Sequence, residues 1–129
     1  MTCLIHHLAL AGDWERARAD GWYRTSTLGA TVEQVGFLHA CYPQQGAEVA
    51  ERFYAGVAEP LVLLTIDPDL VSAPIVAEPV PPDGVVFPHV YGPLEVAAVV
   101  AVRPLTRDRQ GRLDLPWPRP RWRWSWRPR

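Results

Sequence analysis

Val35-Gly36-Phe37-Leu38-His39-Ala40-Cys41-Tyr42-Pro43-Gln44-Gln45 reads as an apolar strand that delivers a histidine, a turn marked by Pro43, and the start of a helix running to about Tyr54. A titratable imidazole at the end of an apolar strand, beside a turn, is well placed to stand over a cleft. Two further histidines have similar settings. His7 closes Cys3-Leu4-Ile5-His6-His7, and His89 lies within Phe87-Pro88-His89-Val90-Tyr91-Gly92-Pro93-Leu94. The pattern predicts one polar site fed by three strands.

Outward from that centre, strands outnumber helices. Residues 3–8 read as a first strand. Asp13 then offers an N-cap for a short amphipathic helix over 14–20, with Trp14 and Ala17 on one face and Gly21 as its stop. Residues 22–25 read as a second strand and 26–33 as an exposed connection. Ala47, Ala50, Phe53 and Tyr54 recur at helical spacing, with Glu48, Glu51 and Arg52 on the opposite side. The continuous apolar run 61–66 predicts a strand covered on both faces. Residues 75–80, 85–91 and 97–103 predict the remaining strands, separated by the Pro- and Gly-marked turns at 67–74 and 81–84. Both helices fall in the first half, which favours an α+β domain with a curved, mostly antiparallel, split β-sheet over alternating βαβ units.

With 129 residues, 48% of them hydrophobic and 21% charged, the chain has room for one domain and one core. Its longest apolar run is too short to span a bilayer. No basic residue precedes Leu4-Ile5, and His6-His7 break the run, so a signal peptide is not expected. Cys3 and Cys41 are the only cysteines, too few for a disulfide framework. These features predict a cytoplasmic protein. Charge is divided along the chain: five arginines face twelve acids up to residue 104, whereas eight arginines face two acids beyond it. The division predicts a single domain over 1–105 and a disordered Pro/Trp/Arg-rich tail over 106–129, through which nucleic acid is a conceivable partner.

The chemistry open to three strand-borne histidines is broad. Imidazoles from different strands can converge on zinc, but no spacing here dictates convergence, and no metal ligand is assigned. Cys41 and His39, two apart on a strand, share a face, yet a lone small thiol is ordinarily packing. Arg24, with Tyr23 beside it, carries the fork suited to phosphate or carboxylate. Glu78, the carboxylate within the later strands, can orient a histidine or Arg24, or simply face water.

The order Ile5-x-His7, Trp14, Gly21-x-Tyr23-Arg24, Gly36-Phe37-Leu38-His39, Arg52-Phe53-Tyr54, Leu63-Leu64-x-Ile66-Asp67, Glu78 and Phe87-Pro88-His89-x-Tyr91-Gly92-Pro93-Leu94 resembles the bacterial domain-of-unknown-function family nine-five-two over about residues 3–105. That family is distantly ADP-ribosyltransferase-like, in the subgroup that includes RNA 2′-phosphotransferases. The resemblance therefore implies NAD in a cleft of the split sheet and an NAD-dependent transferase. By the same resemblance His7 would bond a ribose hydroxyl and His39 would lie near the nicotinamide. His89, Tyr91 and Glu78 would line the remaining wall, Arg24 would face the pyrophosphate, and His39 and His89 would be the catalytic pair. Two departures stand out: His6 replaces a tyrosine before the first histidine, and Ala40-Cys41 replaces Cys-Ser after the second. The leading expectation is a nucleotide-type ligand with ADP-ribosyl or phosphoryl transfer. The alternatives are a non-catalytic nucleotide or small-ligand binding module and, third, a His-ligated metal enzyme.

Overall fold

The computed structural model describes residues 3–115. Its organising strand is β6 (Leu61–Ile66), which pairs antiparallel with β1 (Ile5–Leu10) on one side and β10 (Val99–Pro104) on the other. Side chains alternate across a strand, and here both faces are buried. Val62, Leu64 and Ile66 enter one core with Ile5, Ala9, Tyr23, Leu38 and Val90, while Leu61 and Leu63 enter a second with Leu8, Cys41 and Phe87. The apolar run at 61–66 was therefore legible for what it is.

Each core is closed by a helix. Helix α1 (Ala11–Asp20) buries Trp14 and Ala17 in the first core. It starts earlier than the sequence suggested: Leu10 is its N-cap without a side-chain bond, and Asp13 sits in the first turn, paired with Arg16. Gly21, at φ 93°, ends it in the left-handed conformation that a Cβ disfavours. Helix α3 (Gly46–Tyr54) follows a 3₁₀ turn and buries Gly46, Val49, Ala50 and Tyr54 in the second core. Ala47 and Phe53, expected on that face, are exposed; Phe53 serves another purpose described below.

Between them, β2 (Trp22–Tyr23) pairs with β9 (Leu94–Glu95), and β3 (Thr25–Thr27) with β4 (Ala30–Thr31). The expected exposed connection at 26–33 is thus structured, with Ser26 and Val32 buried. A one-turn helix, α2 (Val32–Val35), takes up residues read as the beginning of the central strand. Thr31 and Gln34 form a capping box at its start, and Gly36, at φ 104°, ends it. The central strand is consequently short: β5 (Leu38–His39), extended by an isolated bridge between Cys41 and His6. It joins β8 (Val85–Val90) and β7 (Ile75–Val80) in a second three-stranded antiparallel sheet. Every described pairing is antiparallel, and the sheet is divided, as the α+β reading required.

Packing continues past residue 105. Leu115 is buried and Leu113 and Leu105 pack against the second core. Arg107 donates to the carbonyl of Tyr54, the last residue of α3, and to that of Val57 just beyond it, at 3.1 and 2.8 Å. Residues 116–129, the larger part of the tail reading, lie outside the described residues.

Candidate functional site

The strand pair β5–β8 places His39 directly opposite His89. Residues opposite one another in an antiparallel ladder share a face, and their rings lie 5.4 Å apart. Glu78, opposite Phe87 on β7, lies diagonal to His89 on that same face. One sheet face thereby gathers Phe37, His39, Phe87, His89, Tyr91 and Glu78.

Glu78 Oε1 lies 2.7 Å from His89 Nδ1 and also accepts the Tyr91 hydroxyl. The Tyr91 hydrogen bond first, then His89, holds the Glu78 carboxyl below its ordinary range. An ionised carboxylate only accepts, so His89 Nδ1 carries a proton, and in the neutral form of the ring Nε2 holds the lone pair. That Nε2 is buried without a hydrogen-bond partner among the described residues, as is His39 Nε2. Burial, followed by the charges of His7, His89 and Arg52, lowers His39 to about 4, so it is neutral at pH 7. Phe37 stacks on His89 with ring centroids 3.9 Å apart, and Phe53 meets His39 edge-on at 5.3 Å.

His7 is not part of this face. Its strand neighbours Ile5 and Ala9 enter the first core, and both of its ring nitrogens are engaged. Nδ1 donates to the His39 carbonyl at 2.6 Å, and Nε2 lies 3.1 Å from the Tyr23 hydroxyl. Since a carbonyl cannot donate, Nδ1 bears the proton and Tyr23 donates to Nε2. Burial lowers His7 to about 4. At 2% and 1% exposure, His7 and Tyr23 have no surface to offer a ribose. The NAD geometry implied by the resemblance therefore does not fit at these two residues. Nor do three imidazoles converge for a metal; no group of three or more His, Cys, Asp or Glu side chains arranged for a metal ion occurs among the described residues. Arg24 forms a half-exposed surface ion pair with Asp20. The structure thus brings together His39, His89, Glu78 and Tyr91, and sets His7, Tyr23 and Arg24 apart.

Phe37, Phe53 and Arg52 were missed as members of the cluster. Phe37 carried a usable signal, being two residues before His39 and so on its face. Arg52 had been assigned to the watery side of α3. A cavity of about 710 Å³ lies elsewhere, between α3 and residues 107–114, lined by Glu48, Glu51, Arg107, Asp108 and Arg112. No unpartnered buried polar atom among the described residues belongs to those side chains, whereas the β5–β8–β7 face holds two.

The fold and this face describe a small α+β protein bearing a carboxylate–imidazole pair beside a second imidazole. The chain belongs to the family described as protein of unknown function, DUF952, whose family model matches residues 8–102. It is similar to the crystal structure of protein CC0527 from Caulobacter crescentus, with 29% identity and a TM-score of 0.74, covering 86% of this chain and 93% of that one. The solution structure of CC0527 is similar at 28% identity and a TM-score of 0.62, covering 84% and 90%. No curated protein matches the chain. No helix among the described residues is long and apolar enough to cross a membrane.

Proposed function

We propose that the β5–β8–β7 face is a general acid–base site that binds a small, hydroxyl-bearing ligand of nucleotide type. One observation carries this reading: the Nε2 atoms of His39 and His89, on paired residues, are both buried without a hydrogen-bond partner. An unsatisfied buried polar group costs about 1–3 kcal/mol, and such groups are uncommon in native proteins. A ligand hydroxyl donating to His89 Nε2 relieves that cost and places its proton where a base can take it. Glu78 fixes the His89 tautomer and stabilises the imidazolium that proton uptake creates, the role of the orienting acid in a catalytic triad. Phe37 and Tyr91 supply surface for a flat base or ring.

Ribose meets the hydroxyl requirement, so NAD and ADP-ribose stay within the ligand class, with His39 and His89 rather than His7 as contacts. Transfer of an ADP-ribosyl or phosphoryl group to a hydroxyl is the reaction class that the family resemblance supplies. Entry requires the partly exposed Phe53 to swing from His39, a rotation on the ps–ns scale for an exposed side chain.

Titration of the protein with adenosine, ADP-ribose and NAD, followed by the ring resonances of His39 and His89, tests the reading. Saturable shifts lost in His89→Gln support it. Absence of shifts with all three at millimolar concentration removes it, and binding without consumption of NAD leaves a binding module in place of an enzyme.

A further inference from the structure

Four buried side-chain polar atoms lack a hydrogen-bond partner among the described residues, and three belong to one neighbourhood: His39 Nε2, His89 Nε2 and Arg52 Nη1. Arg52 stands in the last turn of α3, next to the Phe53 that covers His39. Its guanidinium carbon lies 5.6 Å from the Phe53 ring centroid. Nη2 is anchored on the Pro81 carbonyl at 2.9 Å. Nη1 has only Glu48 Oε2 nearby, at 3.6 Å, an ion pair beyond hydrogen-bond reach. The side chain is held from two sides and is 25% exposed, with Nη1 itself buried.

We propose that Arg52 is the anion-binding residue of this site and that the ligand carries a phosphate group beside the hydroxyl read by the histidines. The inference rests on the preceding reading of His39 and His89 as ligand contacts, and adds the charge and chemical class of what binds. A guanidinium anchored through one nitrogen keeps its remaining donors aimed, which lowers the ordering cost of an anion contact. A phosphate oxygen also replaces the long Glu48 pair with a charge-assisted hydrogen bond. The Arg52 charge acts on His39, which places the guanidinium within electrostatic reach of that ring. Arg24, to which the pyrophosphate had been assigned, is already satisfied by Asp20.

The test uses the full chain, with AMP and adenosine as probes and inorganic phosphate as the source control, read by the His39 and His89 ring resonances. The expected result is that AMP binds more tightly than adenosine and that Arg52→Gln weakens AMP by about tenfold to a hundredfold. Adenosine binding should be unchanged, and phosphate alone should compete with AMP. Arg52→Lys, which keeps the charge, should restore part of the loss, and Arg24→Gln should have no effect. AMP binding no tighter than adenosine, or equal losses from Arg52→Gln and Arg24→Gln, overturns the assignment of Arg52 while leaving the histidine site standing. Failure of both adenosine and AMP to shift either ring overturns both readings. Unchanged melting of Arg52→Gln excludes a loss through misfolding.

Discussion

His7 donates its Nδ1 proton to the backbone carbonyl of His39 at 2.6 Å. Ser26 Oγ accepts the His39 backbone N–H at 3.2 Å. The backbone of the site histidine is therefore gripped at both ends by buried side chains from other strands. His7→Ala should cost about 2–4 kcal/mol, because it opens a cavity and leaves the Tyr23 hydroxyl and the His39 carbonyl unpaired. His6→Ala, on the opposite face of the strand, should cost less. Urea unfolding of both variants measures the difference, and equal losses would contradict the role given to His7.

Acid should destabilise the fold in a defined window. His7 and His39 have folded values of about 4, below their ordinary 6.5. The unfolded chain binds these protons first as pH falls, so the stabilisation is complete above about pH 6.5 and is lost between there and about pH 4. For fully buried His7 the loss is on the order of 3 kcal/mol. The carboxyls held low, Glu78, Glu95 and Asp108, act only at lower pH. Denaturant unfolding at pH 7.5, 5.5 and 4.5 should show the decline, and it should be smaller in His39→Phe. Constant stability from pH 7.5 to 4.5 would refute this account.

The Glu78–His89 hydrogen bond predicts a tautomer. The neutral form of the His89 ring should carry its proton on Nδ1, visible in its ¹⁵N shifts. Glu78→Gln offers an amide that can donate as well as accept, so the population should move toward the Nε2–H form. Tyr91→Phe, which removes only the second bond to Glu78, should leave the tautomer in place. An Nε2–H tautomer in the unaltered protein would disprove the pairing described for the site.

Removing residues 106–115 should be costly. A chain ending at residue 115 retains the Leu113 and Leu115 contacts and the Arg107 bonds to the Tyr54 and Val57 carbonyls, and a chain ending at 105 loses them all. Burial of one large aliphatic side chain and two charge-assisted bonds together predict a difference of at least about 3 kcal/mol. In a domain of this size that is about 10 °C or more in Tm. Thermal melts of the two chains, side by side, check it; coincident melts would return the boundary to residue 105.

Local pattern was enough for the antiparallel α+β character, the strand at 61–66 and the buried face of α1, because each is set by side-chain alternation or helical spacing within a few residues. It was also enough to single out His39, His89 and Glu78, since polar side chains in apolar strands are conspicuous on their own, whereas Tyr91 entered through the family resemblance. What the tertiary structure alone decided is who meets whom. His7 resembled His39 and His89 in sequence, but its strand face turns it into the first core, where Tyr23 and a carbonyl consume both nitrogens. Arg24 was read as the anion contact and Arg52 as a charge on the watery side of α3; Arg24 pairs with Asp20 at the surface, whereas the Pro81 carbonyl and the Phe53 ring hold Arg52 beside the cluster. Residues 106–115 looked like a tail because their packing partners lie some fifty residues earlier in the chain. Partner choice of this kind depends on register and burial between distant segments, and no window of neighbouring residues contains it.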